Sequence, residues 1–494
     1  MAYIITIDQG TTGSRVFLID EKGQTLASAY REHTQHFPQP GWVEHNAEEI
    51  WTNIVSLITE ALEKASVSVT DAVGIGITNQ RETTLLWEKG TGKPLGHAIV
   101  WQCRRTSKRI DELKASGHEP LFRSKTGLVL DAYFSGTKLE WLLQEKDAFQ
   151  KAKSGEVLAG TIDSYLLYKL TGGEVHATDY TNASRTLLFN IHEKKWDEEL
   201  CEILQVPITM LPEVKNTAGL FGKTKGLSCL PDGIPIYSMV GDQQSALFGQ
   251  LCFEPGSAKN TYGTGCFMLM NLGKKAFESK HGLLTTLACD ANGNPVYALE
   301  GAVFIAGAVM QYLRDMLQFF DDAAKSEAMA RSVDHEDEVV FVPAFAGLGA
   351  PYWDQDARGA IFGLTRDTSK EQITRAALHS IALQTYDVLD SMQKDSGLTL
   401  SSLKVDGGAT ANNYLMEYQA AILGVPVIRP QNTESTVLGA AYLAGLAAGL
   451  YSSAKDLENL NPPEKVFQPT MFGKDRQERE LAKWKRAIER VKTK

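Results

Sequence analysis

Asp8-Gln9-Gly10-Thr11-Thr12-Gly13-Ser14-Arg15 sets a carboxylate, a glycine-bounded pair of hydroxyls and a guanidinium within eight residues. A turn of this kind offers a concave run of backbone N–H groups that cradles phosphate oxygens. Asp8, at the end of an apolar run, is a hard oxygen donor of the sort that holds hydrated Mg²⁺. Gly263-Thr264-Gly265 offers a second cradle about half a chain later. Two cradles, one opening each half, suit a two-domain cleft that clamps a polyphosphate from both sides. A third segment, Lys404 to Asn413, reads as strand, glycine turn and a helix starting at Thr410 or Asn412. Glycines there let the backbone approach a flat ligand, and a helix N-terminus attracts anions. An ordinary strand-to-helix turn reads the same way.

Asp242 follows the apolar run Ile236–Val240 at a Gly turn. A carboxylate so placed can take the proton of an attacking hydroxyl, help worth about 10²–10⁴-fold. It also reads as the cap of a helix over Gln243–Gly249, and one residue can do both. Arg81-Glu82 follows the strand-like run Val73–Thr78. An adjacent donor and acceptor can hold neighbouring hydroxyls of a diol, although such pairs are usually solvated. Trp101, Tyr133 and Phe267 would wall the carbon chain, although a single aromatic is more often core. Gly219–Thr224 resembles a Walker A loop but has Thr217 where the first glycine belongs, so it reads as surface loop.

These residues need rigid elements to carry them. Three short strands, Tyr3–Ile7, Arg15–Asp20 and Gln24 to about Glu32, alternate with glycine turns as an antiparallel meander. Asn46 with Glu49 predicts a capping-box start, and Ile50, Ile54, Leu57, Ile58, Ala61 and Leu62 recur at helical spacing. The second half opens alike, with strands Ala258–Tyr262 and Phe267–Met270 around Gly263–Gly265. Thr285–Cys289 and Val296–Leu299 follow as a hairpin, then a buried helix over about 302–319. The parallel openings predict two related α/β domains, residues 1–250 and 251–494, with a cleft between them, although such turns are common and a chance likeness reads the same way. A charged helix over 474–494, with Leu481, Trp484, Ile488 and Val491 on one side, docks on the second.

At 494 residues the chain exceeds what one core supports. A net charge of -10 disfavours a nucleic acid as partner. Six cysteines, none in a CxxC pair, fit a reducing compartment. Residues 435–454 carry no charge over nearly a membrane span, but Gly439, Gly445 and Gly449 and many alanines read better as a short core helix. No stable membrane insertion and a cytoplasmic location are expected.

Asp8–Thr12, Gly263–Gly265 and Val405–Ala409 resemble the two phosphate motifs and the adenosine motif of the actin/Hsp70-like superfamily. Within its carbohydrate-kinase branch, the FGGY kinases, the chain is similar to the members that phosphorylate glycerol. The matching runs are Gly41–His45, Gly76–Thr84, Val100–Arg105, Thr178–Arg185, Gly241–Gln244, Asn260–Leu269 and Ala346–Trp353. The resemblance implies two actin-like (ribonuclease H-like) domains flanking a deep cleft, with ATP and Mg²⁺ as cofactors. It implies phosphorylation of glycerol to sn-glycerol 3-phosphate, with Asp242 as base and a homodimer or homotetramer as the assembly. By the same resemblance Arg81, Glu82, Tyr133, Asp242 and Gln243 bind glycerol, with Trp101 and Phe267 beside it. Thr11, Thr12, Gly13, Arg15, Thr264, Gly307, Gln311, Gly408 and Asn412 contact the nucleotide, and Asp8 the metal. The chain departs from the family at Gly13, where a serine is usual, and at Asp131-Ala132-Tyr133, where a proline usually stands. Leu220–Gly233 lacks both the phosphorylatable histidine and the Gly-Gly-Thr-Arg run through which some members are regulated. The rivals are a kinase of the family acting on another short polyol or sugar, and an actin- or Hsp70-like ATPase. The latter would not need the set Arg81, Glu82, Tyr133 and Asp242.

Overall fold

Tyr3–Gln9 is buried at all seven positions because both of its faces are covered. In the computed structural model, which describes residues 2–333 and 338–493, Ile5 and Ile7 pack toward the helix Ala47–Ala65. Ile4, on the opposite face, packs toward the helix Ser435–Ala447. A strand covered on both faces loses the polar alternation of a half-exposed one.

This strand lies within a six-stranded sheet ordered Ala218–Lys223, Pro235–Gly241, Ala72–Asn79, Tyr3–Gln9, Gly13–Asp20, Thr25–Glu32. Tyr3–Gln9, Gly13–Asp20 and Thr25–Glu32 form an antiparallel meander. Ala72–Asn79 and Pro235–Gly241 extend the sheet in parallel. A seven-stranded sheet repeats the plan: Leu284–Cys289, Pro295–Val303, Cys266–Gly273, Ala258–Tyr262, Leu403–Asp406, Val427–Pro430, Pro463–Phe467. Its strands Ala258–Tyr262, Cys266–Gly273 and Pro295–Val303 are antiparallel neighbours, and Leu403–Asp406 and Val427–Pro430 extend it in parallel. The shared strand plan extends the likeness seen in the two opening hairpins. A smaller five-stranded sheet, with Thr84–Glu88 and Val157–Thr161 among its strands, belongs to the first half.

Four local expectations change. The helix placed over 302–319 spans only Gly307–Asp315, because Ala302 and Val303 are held extended by pairing with Phe267 and Cys266. The Walker-like stretch Gly219–Thr224 is an edge strand, Ala218–Lys223, antiparallel to Pro235–Gly241. Asn46 does cap its helix, accepting from the Glu48 and Glu49 amides. The reciprocal half of the capping box is absent, since Glu49 Oε1 accepts instead from the backbone and hydroxyl of Thr34. The C-terminal helix runs Lys474–Val491, with residue 494 outside those described; Trp484, Ile488 and Val491 join the second-sheet core.

The uncharged stretch folds as the buried helix Ser435–Ala447, stopped near Gly449 at φ +74. No helix among the described residues is long and apolar enough to cross a membrane. Although it belongs by sequence to the second half, this helix crosses back onto the first sheet, where Ser238 Oγ donates to Ala440 O at 2.8 Å. It packs across Asp242–Gly249, the helix that leads out of the first sheet. A division at residue 250 therefore separates the two sheets but not all the helices that cover them.

Candidate active site

The parallel register of the first sheet lines up Gln9, Asn79 and Gly241 across three strands. The next residues along the chain are Gly10, Gln80-Arg81 and Asp242, so one edge carries the first hairpin, the Arg-Glu pair and the carboxylate together. Ligands of open α/β sheets gather at the carboxyl ends of parallel strands for this reason. In the second sheet Thr261 pairs with Asp406, which brings Tyr262-Gly263 beside Gly407. A Cβ on Gly407 would lie 2.5 Å from Tyr262 O, so the two turns touch through bare backbone.

Asp242 is the first residue of its helix rather than its cap; Gly241 holds the cap position. Asp242 Oδ1 accepts from the Gln243 amide at 2.7 Å and stands 3.3 Å from Arg81 Nε. Burial pushes the Asp242 carboxyl above the usual aspartate range, against the pull of Arg81. Its side chain remains 32% exposed, so a ligand in the cleft can reach it. Glu82 takes the left-handed backbone, φ +61, which is costly for a residue with a Cβ. Ser135 Oγ holds that strained unit by donating to Glu82 O at 3.0 Å.

Trp101 and Tyr133 meet edge to face with ring centroids 5.5 Å apart. The Trp101 indole N–H donates to Thr11 Oγ1 at 2.9 Å, tying the aromatic wall to the first hairpin. Asp131 keeps the proline-less loop in place: its Oδ1 accepts from the Tyr133 amide at 2.8 Å and from Arg104 at 2.5 Å. The buried Lys138 donates to Tyr133 O at 2.5 Å. Gln243 Oε1 accepts from Lys259 Nζ at 2.7 Å, and the same ammonium reaches Phe267 O at 3.3 Å. Arg185 joins Glu82 to the Tyr133 ring, so Arg81, Glu82, Trp101, Tyr133, Asp242 and Gln243 form one linked group, which Phe267 joins through its backbone carbonyl.

The first hairpin closes with Gly10 N donating to Gly13 O at 2.9 Å. Thr12 is exposed at its tip. Gly13 is sterically required, since a Cβ would lie 2.7 Å from Arg31 O and 2.6 Å from the Tyr30 ring. His33 and Gln35 both reach Thr11 O, at 3.0 and 2.9 Å. Gln80 braces Gln9 and Gly10 from below and meets His45 Nδ1 at 3.2 Å. Burial, then the neighbouring His33, lowers His45 to about 3, so this brace is uncharged at neutral pH.

Arg15 donates to Asp8 Oδ2 from Nε at 2.9 Å and Nη2 at 2.6 Å, and its Nη1 reaches Glu434 at 2.6 Å. Both bonds to Asp8 end on Oδ2, so Oδ1 is not taken up by Arg15. One buried carboxylate oxygen is a poor cage for a bare ion. It suits a hydrated Mg²⁺ that brings water and phosphate oxygens of its own. No cluster of three or more acidic, His or Cys side chains suited to a metal occurs among the described residues.

Thr264, Gly307, Gln311, Gly408 and Asn412 all line one cavity of about 560 Å³ beside the second hairpin. Met310, Leu378, Ile381 and Leu415 give it apolar walls that suit a flat ring. Of the two helix starts read from the sequence, Asn412 is the cap, with Oδ1 accepting from the Leu415 amide at 3.0 Å. A Cβ on Gly307 would lie 2.6 Å from Gly263 O. Gly307→Ala is expected to displace the second hairpin and raise the KM for nucleotide at least about fivefold, with little change in the KM for the second substrate. Initial rates with each substrate varied in turn test this.

Sequence reading missed Glu300, Arg185, Lys259, Lys138 and Glu434. Glu300 did leave a signal, a lone charge inside an apolar strand, which a buried strand tolerates only when paired.

Residues 3–249 match the N-terminal domain of the FGGY family of carbohydrate kinases and residues 258–448 its C-terminal domain. The chain is 58% identical over 492 residues to a glycerol kinase of Leptospira biflexa, covering 99% of each. It is 54% identical over 491 residues to a glycerol kinase of Bacillus cereus, again covering 99% of each. Plasmodium falciparum glycerol kinase, solved with ADP, superposes with a TM-score of 0.93 at 37% identity, over 99% of this chain and 98% of that one. A ligand-bound xylulose kinase of Lactobacillus acidophilus, with a TM-score of 0.88 at 21% identity over 99% and 97% of the two chains, shares the fold.

Proposed function

Because this chain belongs to the FGGY family of carbohydrate kinases, we propose that it transfers the γ-phosphoryl group of ATP to glycerol, giving ADP and sn-glycerol 3-phosphate. The observation that carries the reading is Asp242 at the end of Pro235–Gly241, partly open and 3.3 Å from Arg81. It sits on the same sheet edge as the first glycine hairpin. In this reading Asp242 takes the proton of the terminal hydroxyl as that oxygen bonds the γ-phosphorus and the bond to the ADP oxygen breaks. Arg81, Glu82, Tyr133 and Gln243 hold the three hydroxyls, and Trp101 and Phe267 shield the carbon chain from water. Thr11, Thr12, Gly13 and Arg15 face the phosphates from one hairpin and Thr264 from the other. Gly307, Gln311, Gly408 and Asn412 receive the adenosine. Mg²⁺ would be held near Asp8 through water and would neutralise phosphate charge. The reading also carries a cytoplasmic location and a homodimer or homotetramer.

The test is release of ADP with Mg-ATP and a panel of polyols and sugars. Release with glycerol far above that with erythritol, xylulose or gluconate is expected. Release independent of any polyol would point to a nucleotide-driven switch instead.

Arg81→Ala removes a charged hydrogen bond worth roughly 1.5–3 kcal/mol, so the glycerol KM should rise about 10- to 100-fold. It should also move the acid limb of kcat/KM. Asp242 works as the anion, which is lost as pH falls, and Arg81 favours that anion. Without Arg81 the carboxyl protonates at a higher pH, and the limb moves toward neutrality. A limb that stays in place, with an unchanged KM, would remove Arg81 from the site.

A further inference from the structure

The forked end of Arg81 is fully gripped by protein groups. Its Nη1 donates to Glu300 Oε2 at 2.5 Å and its Nη2 to Glu300 Oε1 at 3.0 Å. Glu300 Oε1 also accepts from Arg185 Nη2 at 2.8 Å, and Arg185 Nε donates to Glu82 Oε1 at 2.7 Å. All four side chains are at most 2% exposed. Two cations and two anions therefore alternate in a closed, dry chain: Arg81, Glu300, Arg185, Glu82. The Arg185 guanidinium carbon stands 5.2 Å from the Phe134 ring centroid and 5.6 Å from that of Tyr133, which fixes it from the aromatic side.

The members come from different parts of the molecule. Arg81 and Glu82 follow Ala72–Asn79 of the first sheet, and Arg185 follows the short helix Tyr180–Ala183. Glu300 sits inside Pro295–Val303 of the second sheet, paired with Leu269 and Leu284 on its two sides. A charge in mid-strand between apolar neighbours has no local reason to be there. Its partners lie 219 and 115 residues away in sequence.

We propose that Glu300 is a positioning residue for the polyol. It grips the fork of Arg81 and turns the Nε edge of that guanidinium toward Asp242, while Arg185 holds Glu82 by Oε1 and leaves Oε2 outside the ion pairs, available to the polyol. With the fork occupied, Arg81 keeps a fixed direction instead of sampling the rotamers of a free arginine. Arg185 does the same for Glu82, whose Oε1 it holds. Because the grip spans the two sheets, the aim of Arg81 holds only while the sheets keep their present spacing, so affinity for the polyol is tied to domain placement. A bidentate fork is geometrically stricter than a single ammonium contact, which fits the use of arginine here.

The inference rests on the reading of Arg81 and Glu82 as the polyol's partners, and the test separates the two. Glu300→Gln, Glu300→Asp and Arg81→Ala are assayed in the full chain with glycerol and Mg-ATP varied in turn. Glu300→Gln should raise the glycerol KM at least about tenfold, leaving kcat within about threefold and the KM for ATP within about twofold. Glu300→Asp keeps the charge that balances the two arginines but shortens the arm, and should raise the glycerol KM at least about fivefold. It carries the test if Glu300→Gln does not fold. A residue that served only the fold would lower the melting temperature and leave the glycerol KM unchanged, and that result overturns the proposal. If Arg81→Ala raises the glycerol KM and the Glu300 variants do not, Glu300 alone is removed. If Arg81→Ala also leaves it unchanged, the polyol site itself lies elsewhere and the inference falls with it.

Discussion

Asp242→Asn is expected to lower kcat at least about 100-fold while the KM for ATP stays near that of the unmodified enzyme. Asparagine keeps the size of the side chain and can still receive the Gln243 amide, a bond of 2.7 Å, through its carbonyl oxygen. What it loses is basicity. Burial raises the Asp242 carboxyl above the usual aspartate range, against the opposing pull of Arg81, the Gln243 amide and Lys259. A carboxylate raised in this way is a stronger base than a solvated aspartate. The cavity lined by Thr264, Gly307 and Asn412 does not include Asp242, so nucleotide affinity should survive. Steady-state rates with saturating glycerol, together with ADP binding by calorimetry, measure the two effects separately. A variant with near-normal turnover would assign the proton to another group, and the phosphoryl transfer would have to proceed without a carboxylate at this position.

How far the sequence led depended on the distance between interacting residues. The hairpins at Gly10–Gly13 and Gly263–Gly265 were legible because their glycines, strands and hydroxyls are neighbours in the chain. The capping half of the Asn46 start was legible for the same reason. Its reciprocal half was not, because Glu49 had a better partner in Thr34, 15 residues away. Ala302 and Val303 looked helical because short apolar runs do not distinguish strand from helix; pairing with Phe267 and Cys266 settles them as strand. Asp242 is legible from residue type and position, whereas Arg81 and Glu82 stand out only through the family resemblance. Their grouping depends on three strands in parallel register, which local pattern does not report. The role of Glu300 is not legible locally because its partners, Arg81 and Arg185, belong to the other half. The runs around His45 and Gln80 carry only likeness in the sequence; in three dimensions Gln80 braces Gln9 and Gly10 and His45 meets Gln80.

The helix Ser435–Ala447 was legible as a helix but not as a crossing, and the crossing carries the second large effect. Gly439→Ala is expected to destabilise the fold by about 1–3 kcal/mol, toward the upper end, and to lower kcat as well. In an exposed helix the same change would stabilise by about 1 kcal/mol, because alanine is the better helix former. The sign is reversed here by contact. A Cβ at Gly439 would lie 1.9 Å from Ser245 O, and one at Gly249 would lie 2.1 Å from Ser435 O. Both obstacles are backbone atoms of the opposing helix, so no side chain can swing aside. The helices are further pinned by Ser245 Oγ donating to Thr436 O at 2.6 Å. Separating them to admit a methyl group breaks that bond and opens the seam where the two halves meet. It also shifts Asp242–Gly249, whose first residue is the proposed base. Stability and catalysis are therefore coupled at this seam, and the variant should show a lower melting temperature together with reduced kcat. Gly90, with no atom within 4 Å of its would-be Cβ, is the control: Gly90→Ala should change neither. If Gly439→Ala melts at or above the temperature of the unmodified enzyme, the helices part without cost and the close crossing has no energetic role.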